Sequence, residues 1–137
     1  MKAKIIKRTL IVLAAGLAAF LLLTEVCIYT YLREYGYGMK ELPRTTLVYF
    51  HLNNGFTVKE KNGESTFIGR NAIIYEDMLE EKGYKKVDQM GIDQFYKKED
   101  ASDDGKRYDF NLVIGNEGCH WFRLYYLSNG YTIEELK

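Results

Sequence analysis

Cys119, His120 and His51 are the side chains best suited by type to nucleophilic or metal chemistry. Cys119 and His120 are neighbours in a predicted strand, where consecutive side chains point to opposite faces, so they are not expected to form a thiol–imidazole pair. Nothing in the spacing brings His51 to either residue, and Cys119 is predicted to be a small buried hydrophobe. The sequence contains two histidines and no nucleophile, zinc or phosphate-loop motif. We therefore expect no catalytic residue, no metal site and no cofactor, which favours a protein that is not an enzyme.

An acidic cluster is the second candidate for chemistry. Glu99, Asp100, Asp103 and Asp104 precede Gly105, and calcium is bound by several carboxylates around a flexible glycine turn. The spacing does not match the D-x-D-x-D-G pattern of a calcium loop. We interpret the cluster as a solvated loop between two strands.

An alternating row of aromatic and basic residues indicates recognition. Trp121, Arg123 and Tyr125 fall on one face of a predicted strand over residues 119–127. These residue types are enriched at binding hot spots, so we predict that the row binds a protein or peptide. The alternative is ordinary sheet packing, with Arg123 lying across the rings. The side chains expected to meet a helix on the opposite face are Phe122, Leu124 and Tyr126.

The N-terminal segment predicts a membrane location. Residues 9–24 carry no charge, and apolar character resumes after Glu25 as far as Leu32. A helix rises about 1.5 Å per residue, so residues 9–32 can cross a hydrocarbon core of about 30 Å. No small-residue processing site follows, and Glu25 and Val26 before Cys27 do not fit a lipoprotein signal. We predict an uncleaved single-pass signal anchor, with a cleaved signal peptide and a buried core helix as the alternatives.

Charge placement orients the anchor. Four of the 19 basic residues lie within residues 1–8, so this tail is predicted to be cytoplasmic and the rest of the chain outside the cell membrane. Glu25 is interpreted as an interfacial carboxylate. Ala14 and Ala18 form a small-xxx-small pair that would permit weak self-association of the helix. The scarcity of cysteine outside the anchor is typical of bacterial surface proteins.

The segment after the anchor has the composition of one small globular domain. After residue 8 there are 15 basic residues against 19 acidic ones, which excludes nucleic-acid binding in its usual form. Residues 33–44 are interpreted as a tether and residues 45–137 as an extracytoplasmic α+β domain. We expect a mostly antiparallel sheet of about four to six strands with one principal helix on one face.

Local patterns predict the individual elements. The expected strands cover residues 47–52, 56–60, 65–68, 84–87, 93–98, 108–113 and 119–127, and the expected helices cover residues 70–82 and 133–137. Asn-Gly pairs at Asn54-Gly55, Asn62-Gly63 and Asn129-Gly130 predict turns, as does the segment 116–118. A break is expected near Gly91, and Gly83 and Thr132 are predicted to cap helices.

Two functions remain open. The first is a membrane-anchored, non-enzymatic domain that binds a protein or peptide near the membrane. The alternative is a small-ligand binder or an enzyme with a pocket between helix and sheet.

Overall fold

The computed structural model describes residues 1–70, 72–99 and 105–137. Most of the predicted acidic loop, residues 100–104, lies outside these ranges. The chain divides into two compact units, Met1–Leu42 and Pro43–Lys137. The elements in chain order are α1 Lys2–Glu34, α2 Leu42–Tyr49, β1 Gly55–Lys61, β2 Glu64–Gly69, α3 Ala72–Glu81, β3 Tyr84–Met90, β4 Asp93–Lys98, β5 Phe110–Gly118, β6 Arg123–Leu127 and α4 Ile133–Leu136.

Helix α1 is long and apolar. Its 33 residues give a length of about 50 Å, and large apolar side chains between Ile5 and Val26 are exposed around the helix. The hydroxyls of Thr9, Thr24 and Thr30 donate to the carbonyl four residues earlier, so they remain satisfied in apolar surroundings. Within the described residues, α1 is the one helix whose length and composition suit a membrane crossing.

Helix α2 replaces the strand that was predicted over residues 47–52. Pro43 stands in the first helical turn, where its missing N–H is not needed. The helix ends at a left-handed His51 (φ 63°), and the N–H groups of His51 and Leu52 donate to the carbonyls of Val48 and Leu47. This is a helix C-cap, so the prediction of a hairpin turn at Asn54-Gly55 is wrong. Val48 is the one buried residue of residues 47–52, and Leu47, Phe50 and Leu52 are exposed, so the apolar and aromatic composition did not specify strand geometry.

The second unit contains a six-stranded antiparallel sheet with the order β1-β2-β6-β5-β4-β3. The prediction of an α+β fold with four to six antiparallel strands is confirmed. Asn62 and Gly63 both take positive φ and connect β1 to β2, as an Asn-Gly hairpin requires. The break near Gly91 is a tight turn between β3 and β4.

Helix α3 covers one face of the sheet and forms the main core with it. Gly83, at φ +87°, follows the end of α3 as predicted. Thr132 precedes α4 at the N-cap position, but its side chain makes no capping hydrogen bond. The buried core residues are Phe67, Tyr75, Leu79, Tyr96, Phe110, Leu112, Tyr125, Leu127, Ile133 and Leu136.

Candidate ligand-binding cleft

The pairing of β5 with β6 is interrupted next to the turn that joins them. Ile114 pairs with Tyr125, but the next pair is Gly118 with Arg123, so three residues of β5 oppose Leu124 alone. The predicted turn at residues 116–118 is therefore wrong, because that segment is a bulge within β5. The chain reverses at residues 119–122 instead, where the Cys119 N–H donates to the Phe122 carbonyl at 2.8 Å.

Gly115 makes this bulge possible. A Cβ at residue 115 would lie 2.5 Å from the backbone oxygen of Leu124, so only glycine permits this close approach of the two strands. The carbonyl of Gly115 is thereby presented to Arg123, whose Nη1 donates to it at 2.9 Å. The bulge thus fixes one side of the Arg123 guanidinium.

The structure places Tyr125 in the core, so its assignment to an outer face of the sheet is wrong. Tyr125 is fully buried, with its ring 5.0 Å from the rings of both Phe67 and Tyr75. Helix α3 therefore covers the face of β6 that carries Arg123 and Tyr125. Leu124 on the opposite face is also buried. Since both faces of the strand are buried, the apolarity of alternate residues did not identify the face that meets α3.

A cleft of about 580 Å³ opens beside the β5–β6 turn. It includes Trp121, Arg123 and Tyr125, although Tyr125 contributes from the core. The cleft is lined by Tyr49, His51, Arg70, Ile74, Ile114, Cys119, His120, Trp121, Phe122, Arg123 and Tyr125. Its volume lies in the range typical of ligand sites in proteins.

Aromatic rings form one wall of the cleft. The Trp121 ring centroid lies 4.8 Å from that of Tyr49 and 5.0 Å from that of His120, both in edge-to-face geometry. Trp121 is half-buried in this arrangement. Tyr49 is the last residue of α2 and His51 belongs to its C-cap, so the end of α2 helps to build the wall.

Two arginines supply the charge of the cleft. Besides the bond from Arg123 to Gly115, Arg70 Nη2 donates to Asn54 Oδ1 at 2.7 Å. The Nε of Arg70 is buried and has no hydrogen-bond partner among the described residues. Within residues 1–70, 72–99 and 105–137, no acidic side chain lines the cleft and neither arginine forms an ion pair. The cleft therefore carries uncompensated positive charge.

Two buried tyrosines hold the backbone of Arg70. Its N–H donates to Tyr75 Oη at 2.9 Å, its carbonyl accepts a hydrogen bond from the Tyr125 hydroxyl, and the Tyr75 hydroxyl donates to the Asn54 carbonyl. Burial raises the pKa of Tyr125 to about 12, against a smaller opposing effect of Arg123, and burial also raises the pKa of Tyr75. Both hydroxyls therefore remain protonated donors at neutral pH.

Cys119, His120 and His51 all line the cleft, which the sequence did not predict. Cys119 and His120 lie in the turn rather than in a strand, so the alternation argument does not apply to them. In the part of the chain that the structure describes, no three metal-ligating side chains converge.

Sequence reasoning missed Arg70 and the residues from α2 because distant parts of the chain meet here. The one local signal was Gly115 within an alternating strand pattern, which is typical of a bulge. Comparisons of the chain with protein families, with curated proteins and with solved structures found no match.

Proposed function

We propose that this protein is a membrane-tethered, non-enzymatic binding domain whose cleft takes up a segment of another protein or peptide. The observation that carries the proposal is the cleft itself. It is an open cleft of about 580 Å³ that combines aromatic side chains with two arginines for which the described residues supply no acidic partner. Aromatic residues and arginine dominate the energetics of protein interfaces.

Anchoring would strengthen such binding. A domain held at a surface where its partner is also concentrated benefits from a high effective concentration, so modest intrinsic affinity is sufficient. Helix α1 supplies the candidate anchor. In the proposed topology residues 1–8 are cytoplasmic, residues 9–32 span the membrane, residues 33–44 form the tether and residues 45–137 lie outside.

Site-specific photo-crosslinking in the intact membrane tests the cleft as the binding site. A photoreactive amino acid is placed at Trp121 or Ile74, which line the cleft, and at Lys59 or Val87, which are exposed elsewhere on the domain. We expect a discrete crosslinked species from the two cleft positions and not from the controls. Equal crosslinking at all four positions, or none at the cleft, would contradict the proposal.

Protease added to intact cells or spheroplasts tests the orientation. The C-terminal domain is expected to be degraded without lysis, because the basic tail should remain inside. Complete protection until the cells are lysed would contradict the topology. A mature N-terminus between residues 23 and 30 would show that the segment is a cleaved signal instead.

A small-ligand binder or an enzyme is the second candidate. It is favoured by the position of Cys119 and both histidines in the lining of one cleft. Removing the thiol of Cys119 distinguishes the two functions. The thiol is removed by Cys119→Ser in the full-length protein, and alkylation of the unsubstituted protein is the parallel treatment. Partner crosslinking that survives Cys119→Ser supports a binding domain, whereas loss of a measured turnover in that variant supports an enzyme.

A further inference from the structure

We infer that the chemical group recognised by the cleft is a carboxylate on an acidic peptide segment. This inference rests on the proposed function and makes its ligand specific. Arg70 and Arg123 line the cleft, and none of the acidic residues that the structure describes does. A guanidinium carries five donor hydrogens and no acceptor. One side-chain hydrogen bond to protein is present at each guanidinium, to Asn54 from Arg70 and to Gly115 from Arg123, so donors remain for an anion.

The uncompensated charge favours an anionic ligand on energetic grounds. Two positive side chains that share a cleft without acidic partners repel each other, and an incoming anion removes that repulsion. Hydrogen bonds between a guanidinium and a carboxylate are also shorter and stronger than those between neutral groups. A neutral segment would leave both guanidinium groups without a charged partner.

The remaining lining favours a peptide carboxylate over a free phosphate ion. Besides the two histidines, the described lining includes the aliphatic and aromatic residues Tyr49, Ile74, Ile114, Trp121, Phe122 and Tyr125. A free phosphate would leave these surfaces uncovered, whereas an aspartate or glutamate beside an apolar residue would contact both parts of the cleft.

The arginine positions are organised before any ligand binds. Tyr75 and Tyr125 hold both backbone groups of Arg70. Gly118 lies directly under Arg123, because a Cβ there would be 2.8 Å from the guanidinium carbon. Such preorganisation reduces the entropy lost on binding.

Trp121 gives a direct measurement because it is the one tryptophan in the sequence. The full chain in a neutral detergent is titrated with two capped peptide libraries that have aromatic or aliphatic neighbours and differ only in a central glutamate or glutamine. We expect a saturable change in Trp121 fluorescence with the glutamate library. The glutamine library should bind about tenfold to a hundredfold more weakly, since it loses the charge-assisted hydrogen bonds.

Variants identify the residues responsible. Arg123→Gln is expected to reduce the preference for glutamate over glutamine to the part that Arg70 supplies, whereas Lys59→Gln, with the same charge change at an exposed site outside the cleft, should preserve it in full. Arg123→Lys keeps the charge without the planar fork and should retain part of the preference. If these variants fail to fold, the comparison of the two libraries on the unsubstituted protein still tests the inference.

The outcomes separate this inference from the proposed function. Equal binding of both libraries would overturn the carboxylate inference while leaving the cleft as a peptide site. Displacement of the glutamate library by inorganic phosphate at lower concentration than by acetate would also overturn it, since it would identify a phosphate site. If neither library binds, the carboxylate inference is also overturned. The crosslinking experiment would still test independently whether the cleft is the binding site.

Discussion

The β1–β2 and β5–β6 hairpins differ in their regularity. A two-residue Asn-Gly turn joins β1 to β2, and Lys61 pairs with Glu64 directly beside it. The β5–β6 hairpin has a three-residue bulge and reverses over residues 119–122. The tight turn was predicted correctly, while the irregular one places Cys119, His120 and Trp121 at the cleft. The irregular hairpin therefore contributes side chains to the lining of the cleft.

The largest expected effect is a difference in the free energy of unfolding between two alanine variants. One replaces Tyr125, on the regular part of β6, and the other replaces Trp121, in the turn. Tyr125→Ala should lower the free energy of unfolding by about 3–5 kcal/mol, because it removes a fully buried ring that packs against Phe67 and Tyr75. Trp121→Ala, at a half-buried site, should lower it by less than about 1.5 kcal/mol. Urea unfolding of the two variants measures both values. Equal losses would show that the turn is part of the core.

The bulge itself can be broken at Gly115. Gly115→Ala should destabilise the domain by about 1–3 kcal/mol, because the new methyl group would overlap the Leu124 carbonyl. Gly38→Ala is the matched control, since nothing lies within 4 Å of a Cβ at that residue. Denaturant unfolding should show little change for the control. A Gly115→Ala variant as stable as the control would contradict the close approach of the strands.

The tyrosines that hold Arg70 should make stability depend on pH in the alkaline range. The pKa of Tyr125 is raised to about 12 from an ordinary value of 10.0, so between these values the folded chain binds more protons than the unfolded chain. The free energy of unfolding should therefore be unaffected by this group below pH 10 and fall as the pH rises from 10 to 12. The slope is at most about 1.4 kcal/mol per pH unit for each such group.

Tyr125→Phe isolates this effect. The variant should show a shallower decline of the unfolding free energy above pH 10, with the remainder due to groups such as Tyr75, whose pKa is also raised by burial. Urea midpoints at intervals between pH 9 and pH 12 give the slopes. Identical slopes for the variant and the unsubstituted protein would contradict the burial of this hydroxyl.

The smallest expected effect concerns the left-handed residue that ends α2. His51→Gly should raise the free energy of unfolding by about 0.5–1 kcal/mol, because glycine adopts the left-handed conformation without a Cβ clash. Asn62→Gly is the control, since asparagine tolerates this conformation better and should gain less. Thermal unfolding of both variants measures the difference. A loss of stability in His51→Gly would contradict this expectation. It would show that the contacts of the imidazole stabilise the fold by more than the left-handed backbone conformation of His51 destabilises it.

The sequence predicted those parts of the fold that depend on local chemistry. The apolar helix, the α+β class, the Asn62-Gly63 turn and the helix stop at Gly83 each follow from adjacent residues. The segment of α2 was mispredicted because strand propensity is a weak local preference that context overrides. Its helical state depends on Pro43 in the first turn and on the cap at His51.

The candidate site was predicted only in part. Trp121 and Arg123 line the cleft at half-buried positions, but Tyr125 belongs to the core. The face of β6 that meets α3 is fixed by the register with β2, in which Phe67 pairs with Tyr125. Such long-range pairing is not encoded in the alternation of one strand. Arg70 lies 53 positions before Arg123 in the sequence. Its place in the cleft could not be predicted for the same reason, because it depends on long-range pairing.

We propose that Trp121 serves binding rather than folding, and a crosslinking yield measured together with an unfolding midpoint tests this proposal. The photo-crosslinker is placed at Ile74 in the intact membrane, and the yield is compared with and without Trp121→Ala, alongside the unfolding midpoint of the same full-length variant. We expect Trp121→Ala to reduce the yield about tenfold and to shift the midpoint much less than Tyr125→Ala does. An unchanged yield would contradict it, as would a midpoint as low as that of Tyr125→Ala.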